Sequence, residues 1–419
     1  MYKSVICFLL LFLCIALNGC GKWGTEEAPC NTPIADYLYG VEYDDYDFEA
    51  CVQYFNEQYI PSDAGCSEVR RGNFVGRNLD WYINNNASAI IKMNHTDNHY
   101  ASIGVVGCFP QFNNDLAKTG KYDDVYKYLP FKTEDGVNEC GLYVGMNVMP
   151  TGETSFDMSS WETGKFGHGA HGTNPSSPRT FSVNYLVRVL LDKAGSVEEA
   201  KEIIDSINWT EPVNYPHPGE TQSFHWLICD ADHSMVLEFM DNVPVFTETD
   251  IVNEPSYATI MTNFTNALMK EGVMQITGMG YERWDILHDY YKYFDESFDG
   301  MESLMKLVWY SFTYTIQAGS RYMWLTEFSN PDFPAEKLYK NTEIVNKKEF
   351  RDFVMGWQKL WKDRSNWYND NTSLWFTTHT SVYDLSSKTL HLLIHEGDSG
   401  MAEFYEAGLN DIHFAKPLK

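Results

Sequence analysis

Basic residues are scarce. The 419-residue chain has 31 Lys and Arg against 58 Asp and Glu, a formal net charge of −27. Phosphate contact needs clustered Lys and Arg, so composition excludes a nucleic-acid-binding face. The acidic excess is a statement about solubility. After the first twenty residues no apolar run is long enough to span a bilayer. Nine cysteines occur, at 6, 14, 20, 30, 51, 66, 108, 140 and 229, yet none falls into a CxxC or other zinc spacing. No Cys-Gly-x-Cys-Trp run occurs, which argues against a papain-like Cys/His pair. HGAHG (168–172) and the pair His391/His395 lack an acidic set at metal-ligand spacing. Internal repeats and low-complexity tracts are absent. Hydrophobic residues make up 44% of the chain and aromatics 15%. That suffices for a large core and is too much for disorder.

The chain begins MYKSVICFLLLFLCIALNGC. A lysine followed by a short apolar run reads as a signal peptide over 1–19. Leu17-Asn18-Gly19-Cys20 resembles a bacterial lipoprotein box, which would put a lipid on Cys20. The expectation is an exported protein: a cell-surface or periplasmic lipoprotein, or a secreted one. Membrane contact is expected only through that lipid. Export permits disulfides. Cys30 with Cys51, and Cys108 with Cys140, are candidate pairs that sequence cannot assign. Residues 20–65 carry ten acidic residues and one basic one, and read as a lipoprotein tether, an acidic pro-segment, or both.

From 66 to 419 the pattern is that of one mixed domain. SAIIKMNH, HYASIGVVGC, CGLYVGMNV and SYATIMTNF read as strands. TFSVNYLVRVLLDKAG and SVEEAKEIIDSI read as helices, the second opened by a Ser cap with Glu three positions later. YERWDILHDYYKYF and MESLMKLVWYSF also look helical. QSFHWLICD-ADHS-MVLEFM and SLWFTTHTSVYDL-SSKT-LHLLIHEG read as hairpins. This predicts an α+β fold, antiparallel sheets with helices packed on them. GDSG (397–400) echoes a serine-protease motif but reads as a turn after the last strand.

One stretch bears on chemistry: DAGCSEVRRGNFVGRNLDW, residues 63–81. Gly72-Asn73 suits a two-residue hairpin turn. Paired numbers then sum to 145. Cys66 faces Leu79, and Arg77 is its diagonal neighbour on the same face. A neighbouring cation stabilises a thiolate. Asp80 lies on the other face, where it could meet the Cys66 nitrogen if that nitrogen were free. An α-amino group has a pKa of about 7.7–8.0 and suits a general base. Cleavage between Gly65 and Cys66 would therefore give one residue both nucleophile and base. Read alone, the stretch also fits a buried structural cysteine.

Gly76-Arg77-Asn78-Leu79-Asp80-Trp81 after a leading cysteine resembles the choloylglycine hydrolase family. That family includes conjugated bile acid hydrolases and penicillin V acylases. The gap from Cys66 to Arg77 is shorter than in typical bile salt hydrolases. NECGLYVGMNVMP (138–150), SFHWLICDADHSMVLEFM (223–240), IMTNFTN (260–266) and GYERWDILHDYY (280–291) resemble further family segments in the same order. The resemblance implies an αββα four-layer sandwich of N-terminal-nucleophile hydrolases. It implies Cys66, Arg77 and Asp80 as catalytic residues, the Asn147 amide and Asn263 side chain as oxyanion donors, and Arg283 as a second active-site arginine. Asn253 is a rival for the Asn263 role. The implied reaction is hydrolysis of a linear carbon–nitrogen amide bearing an apolar acyl group, of bile-salt, penicillin V or N-acyl amino acid type. No metal or organic cofactor is expected, the partner is a small-molecule amide, and a homo-oligomer is left open. Two alternatives remain: an acyltransferase or N-acylethanolamine-type amidase on the same fold, or a non-catalytic ligand-binding lipoprotein.

Overall fold

Glycine at position 72 sits at φ 54°, a left-handed turn conformation it adopts without a Cβ penalty. The strands on either side, β3 (Gly65–Arg71) and β4 (Phe74–Tyr82), pair antiparallel from Arg71↔Phe74 to Gly65↔Asp80. This is the register the turn predicts. The computed structural model describes residues 30–35, 38–57, 65–82, 87–109, 129–150, 170, 172–210, 222–271, 278–279, 281–293, 301, 305, 375–395 and 401–408.

The hairpin belongs to a six-stranded sheet. Its other members are β14 (Ile260–Met261), β17 (Trp375–Asp384), β18 (Thr389–His395) and β19 (Met401–Gly408), in the order β14-β3-β4-β17-β18-β19. A nine-stranded sheet lies over it. It runs β1 (Cys30–Ala35), β2 (Leu38–Tyr43), β5 (Ala87–Met93), β6 (Ser102–Phe109), β7 (Asp135–Asn138), β8 (Tyr143–Pro150), β11 (Gln222–Cys229), β12 (Ser234–Met240), β13 (Val243–Thr249). Two short pairs complete the strands: β9 (Thr180–Ser182) with β10 (Asn208–Thr210), and β15 (Asn263–Phe264) with β16 (Gly278–Met279). The helices are α1 (Phe48–Glu57), α2 (Leu186–Lys193), α3 (Val197–Ser206), α4 (Asn266–Lys270) and α5 (Tyr281–Tyr290).

Alternation along the strands gives the nine-stranded sheet two apolar faces. One face packs Val144, Trp226 and Leu237 against Leu186, Leu190, Ala200 and Ile204 of α2 and α3. The other packs Ile90, Ile103, Val105 and Val236 against Val75, Met261, Tyr383 and Leu392 of the six-stranded sheet. The outer side of that second sheet is covered by α5 and by Met301 and Met305, which lie against Gly76. The layers are thus α, β, β, α. Among the described residues no helix is long and apolar enough to cross a membrane.

The structure departs from the sequence reading in several places. TFSVN does not start a helix: Thr180–Ser182 is a strand, Val183–Tyr185 a single 3-10 turn, and α2 begins at Leu186. The β-branched Thr180 and Val183 favour that outcome. SYATIMTNF splits into β14 and β15 on either side of Thr262. GDSG does not follow the last strand, because β19 comes after it; Ala and Glu in MAEFYEAG masked that strand. Of MESLMKLVWYSF only Met301 and Met305 lie among the described residues. In α3, Ser196 Oγ accepts from Glu199 N at 3.2 Å, the expected cap, while Glu199 Oε2 reaches back to Gly195 N at 2.7 Å. Cys140 carries an exposed free thiol. It lies past the Ser102 end of β6, whereas Cys108 is near the opposite end, roughly 20 Å away at 3.3 Å per residue. No bridge can join them.

The acidic segment before Cys66 is built into the fold. β2 pairs parallel with β5 over six residues. Leu38, Val41 and Tyr43 are fully buried, and Tyr46, Cys51 and Val52 join the core under α2. The Tyr46 hydroxyl donates to Asp192 of α2, and Asn94 N donates to the Tyr43 carbonyl at 2.9 Å.

Candidate active site

Cys66 and Glu68 are two residues apart on β3 and so share a face. Arg77 stands directly opposite Glu68 on β4. That face looks toward the nine-stranded sheet, where β7 supplies Asp135 and β8 supplies Met146. All four side chains, Cys66, Glu68, Arg77 and Asp135, are at most 1% exposed. Arg77 spends its fork on them. Nε donates to Glu68 Oε1 at 3.2 Å and Nη1 to Asp135 Oδ2 at 3.1 Å. Nη2 donates to the Met146 carbonyl at 2.8 Å and to Cys66 Sγ at 3.5 Å. Glu134 lies 3.7 Å from Nη1.

The electrostatics follow from burial. Desolvation pulls the Arg77 pKa down, but Cys66, Asp135, Glu134 and Glu68 outweigh it and hold it well above the ordinary value. The guanidinium therefore stays charged beside the sulfur, which favours negative charge there. Burial pushes the Glu68 carboxyl up to about 8, against the pull of Arg77. Burial likewise raises Glu134 to about 7. Tyr143 donates to Glu68 Oε2 at 3.1 Å. Ser381 and Tyr383 donate to Asp135 at 2.9 and 2.5 Å.

The Cys66 backbone is held from the other side. Its N–H donates to Asn263 Oδ1 at 2.8 Å. Its carbonyl accepts from Arg283 Nη1, which also donates to Ser67 Oγ at 2.7 Å. Arg283 Nη2 donates to Asn263 Oδ1 at 2.7 Å. Asn263 Nδ2 donates to the Val148 carbonyl. The corner carrying Asn263 is itself fixed. The Thr262 carbonyl accepts from Asn147 Nδ2 at 3.2 Å and from His225 Nε2 at 2.7 Å. Asn147 and His225 are cross-strand partners on β8 and β11. Glu238 on β12 accepts from Asn266 N and Ala267 N, both at 2.8 Å, capping α4.

Cys66, Arg77, Asn147, Asn263 and Arg283, distant in sequence, thus converge on one buried point between the sheets. Asn253 is exposed on a loop, while Asn263 touches the Cys66 nitrogen. Asp80 pairs with Gly65 and Thr377 on the strands; its side chain lies outside the described residues. Sequence reasoning missed Glu68, Asp135 and His225. Glu68 was within reach, since the same register that places Arg77 puts Glu68 opposite it. Asp135 joins Arg77 across 58 residues and leaves no local signal. Among the described residues no group of three or more His, Cys, Asp or Glu side chains is arranged to hold a metal.

Comparison with known proteins gives the geometry a family. A model of the linear amide C–N hydrolases, choloylglycine hydrolase family, matches residues 66–277. Its first matched residue is Cys66, and Arg283 falls beyond its last. No curated protein sequence matches. Similar solved structures include two variants of the conjugated bile acid hydrolase from Clostridium perfringens. One is 12% identical at a TM-score of 0.41, covering 84% of this chain and 97% of its own. The other is 14% identical at 0.38, covering 85% and 96%. The penicillin V acylase from Agrobacterium tumefaciens is 15% identical at 0.35, covering 84% and 98%. The matched model spans half of the chain and opens at the cysteine on which the buried site converges; the chain belongs to the choloylglycine hydrolase family of linear amide C–N hydrolases.

Proposed function

We propose that this chain is a cysteine N-terminal-nucleophile hydrolase, activated by cleavage between Gly65 and Cys66. The observation that carries the proposal is the double hold on Cys66. Arg77 lies 3.5 Å from its sulfur, and Asn263 lies 2.8 Å from its nitrogen. Once that nitrogen is an α-amine, it takes the thiol proton. The thiolate attacks the carbonyl carbon of a linear amide, and the oxyanion is held by the Asn147 backbone N–H and the Asn263 side chain. The nitrogen leaves as an amine with the proton, and water releases the acid from the thioester. Asp80, opposite Gly65, orients the freed ammonium. Arg283 fixes the strand that presents Cys66.

Residues 1–19 are a signal peptide and 20–65 a pro-segment carrying a lipid on Cys20. Because β2 and α1 are integral to the sheet and core, the pro-segment stays bound after cleavage. The lipid then still tethers the enzyme to the cell surface or periplasmic membrane. The substrate is an amide with an apolar acyl group. The family's bile-acid and penicillin V members support that class. Glycocholate, penicillin V and N-acyl amino acids, assayed side by side, test the proposal. At least one should be cleaved, with loss of all turnover in Cys66→Ala. Residual hydrolysis above a few per cent in that variant would mean another nucleophile.

A further inference from the structure

We propose that Glu68 is the residue that positions Arg77 against the Cys66 sulfur, and that it does so with its carboxyl uncharged. This rests on Cys66 being the nucleophile. A guanidinium has five N–H donors in a rigid fork. Here Nε is held by Glu68 and Nη1 by Asp135, while Nη2 faces the Met146 carbonyl and Sγ. Glu68 is the anchor at the Nε end and sets the rotation of the fork about its long axis. Room for it is provided by Gly145 on β8. A Cβ there would come within 2.5 Å of Glu68 Oε2 and would also meet the Tyr143 hydroxyl.

The crowding of like charge favours the second part. Three carboxylates lie within 4 Å of one cation: Glu68 at 3.2 Å, Asp135 at 3.1 Å and Glu134 at 3.7 Å. If all were ionised, the cluster would carry −2 and oppose a thiolate at Cys66; a proton on Glu68 halves that to −1. A protonated Glu68 still accepts from Nε through Oε1; with its proton on Oε2 it donates to the Tyr143 oxygen, reversing the bond that the phenol donates to the ionised carboxylate. The groups facing it are consistent with this. They are Arg77 on β4, Asp135 and Glu134 beside β7, Tyr143 on β8, Cys229 on β11 and Tyr383 on β17, with buried Arg70 two residues along β3 against Cys229. Arg77 is the cation in direct contact with the carboxyl. Burial dominates over it, placing the carboxyl proton's loss near pH 8.

Two variants of the processed enzyme separate position from charge. Glu68→Gln keeps an acceptor for Nε and can never ionise. Glu68→Ala loses the anchor. The readout is the pH midpoint of the thiolate absorbance at 240 nm, taken as the difference against Cys66→Ala made as a chain starting at position 66 with residues 20–65 co-expressed, together with kcat and KM. In Glu68→Gln the midpoint should stay or fall, kcat at pH 7 should remain within about threefold, and the loss of kcat above pH 8 should disappear. In Glu68→Ala the midpoint should rise by about one pH unit and kcat should fall about 100-fold at near-constant KM. Equal midpoints in all three proteins, or an alkaline loss retained in Glu68→Gln, overturn the inference. Should Glu68→Ala fail to fold by circular dichroism, the Glu68→Gln profile alone decides. If no amide is cleaved by the wild type while the thiolate midpoints move as stated, the substrate reading fails and the role of Glu68 stands.

Discussion

Arg283 offers a direct measure of how firmly the nucleophile's strand is held. Its side chain is fully buried and donates to the Cys66 carbonyl, Ser67 Oγ and Asn263 Oδ1. Arg283→Met keeps most of the apolar volume and removes the donors. Asn263 Oδ1 retains the Cys66 N–H, so two acceptors, the Cys66 carbonyl and Ser67 Oγ, lose the charged partner. A hydrogen bond to a charged group is worth about 1.5–3 kcal/mol. Two such bonds give roughly 3–6 kcal/mol, inside the usual 5–15 kcal/mol of a domain, so the variant should still fold. In urea, with an m-value of about 3 kcal/mol/M, the midpoint should drop by roughly 1–2 M. Arg283→Lys can reach one acceptor well and should fall between. A drop below about 0.3 M in Arg283→Met would refute the claim that this arginine clamps β3 to β15.

Stability should also report the Glu68 proton. A buried carboxyl raised from 4.5 to about 8 holds a proton that the unfolded chain has released. Its contribution is complete below pH 4.5 and is lost as pH rises toward 8, at up to about 1.4 kcal/mol per pH unit. Lys132, lowered to about 7 by burial, and His379, lowered to about 4 by burial, tilt the opposite way. The stability difference between Glu68→Gln and wild type isolates the effect, and it should grow in favour of Gln from pH 5 to 8 in urea melts; a flat difference contradicts it. Gly145→Ala should cost about 1–3 kcal/mol by overpacking Glu68 and Tyr143, read as a lower urea midpoint. A chain expressed from Cys66 alone should be poorly soluble, since it lacks the β2 edge and the buried Val41 and Tyr43. Co-expression of residues 20–65 should restore it and co-elute on size exclusion; a soluble, active chain without them would show the segment is dispensable.

The parts of the fold written in local chemistry were legible. Gly72-Asn73 fixes a turn, the turn fixes a register, and the register puts Arg77 beside Cys66. The β11/β12 and β17/β18 hairpins followed from alternation and polar turns. What failed were contacts whose cause is distant. The acidic segment before Cys66 reads as a tether, a pro-segment or both, and its conspicuous charges hid the strand Leu38–Tyr43, which pairs with β5 and buries Leu38 on one face and Val41 and Tyr43 on the other. Asn263, which accepts from the Cys66 N–H of the uncut chain, comes from 197 residues away and was placed by resemblance, not by local geometry. Asp135 and His225 became site neighbours only through the order of strands in the larger sheet.

Cleavage before Cys66 is the claim on which the mechanism turns. While Gly65 is attached, the Cys66 nitrogen is an amide and cannot act as a base. The most direct measurement is N-terminal sequencing with intact mass on purified enzyme that turns over an amide. The expected large chain begins Cys66-Ser67-Glu68-Val69 and runs 354 residues to Lys419. Cys66→Ala should accumulate uncut precursor. Fully active enzyme with Gly65 still covalently attached would contradict the account and require a side-chain base in place of the amine.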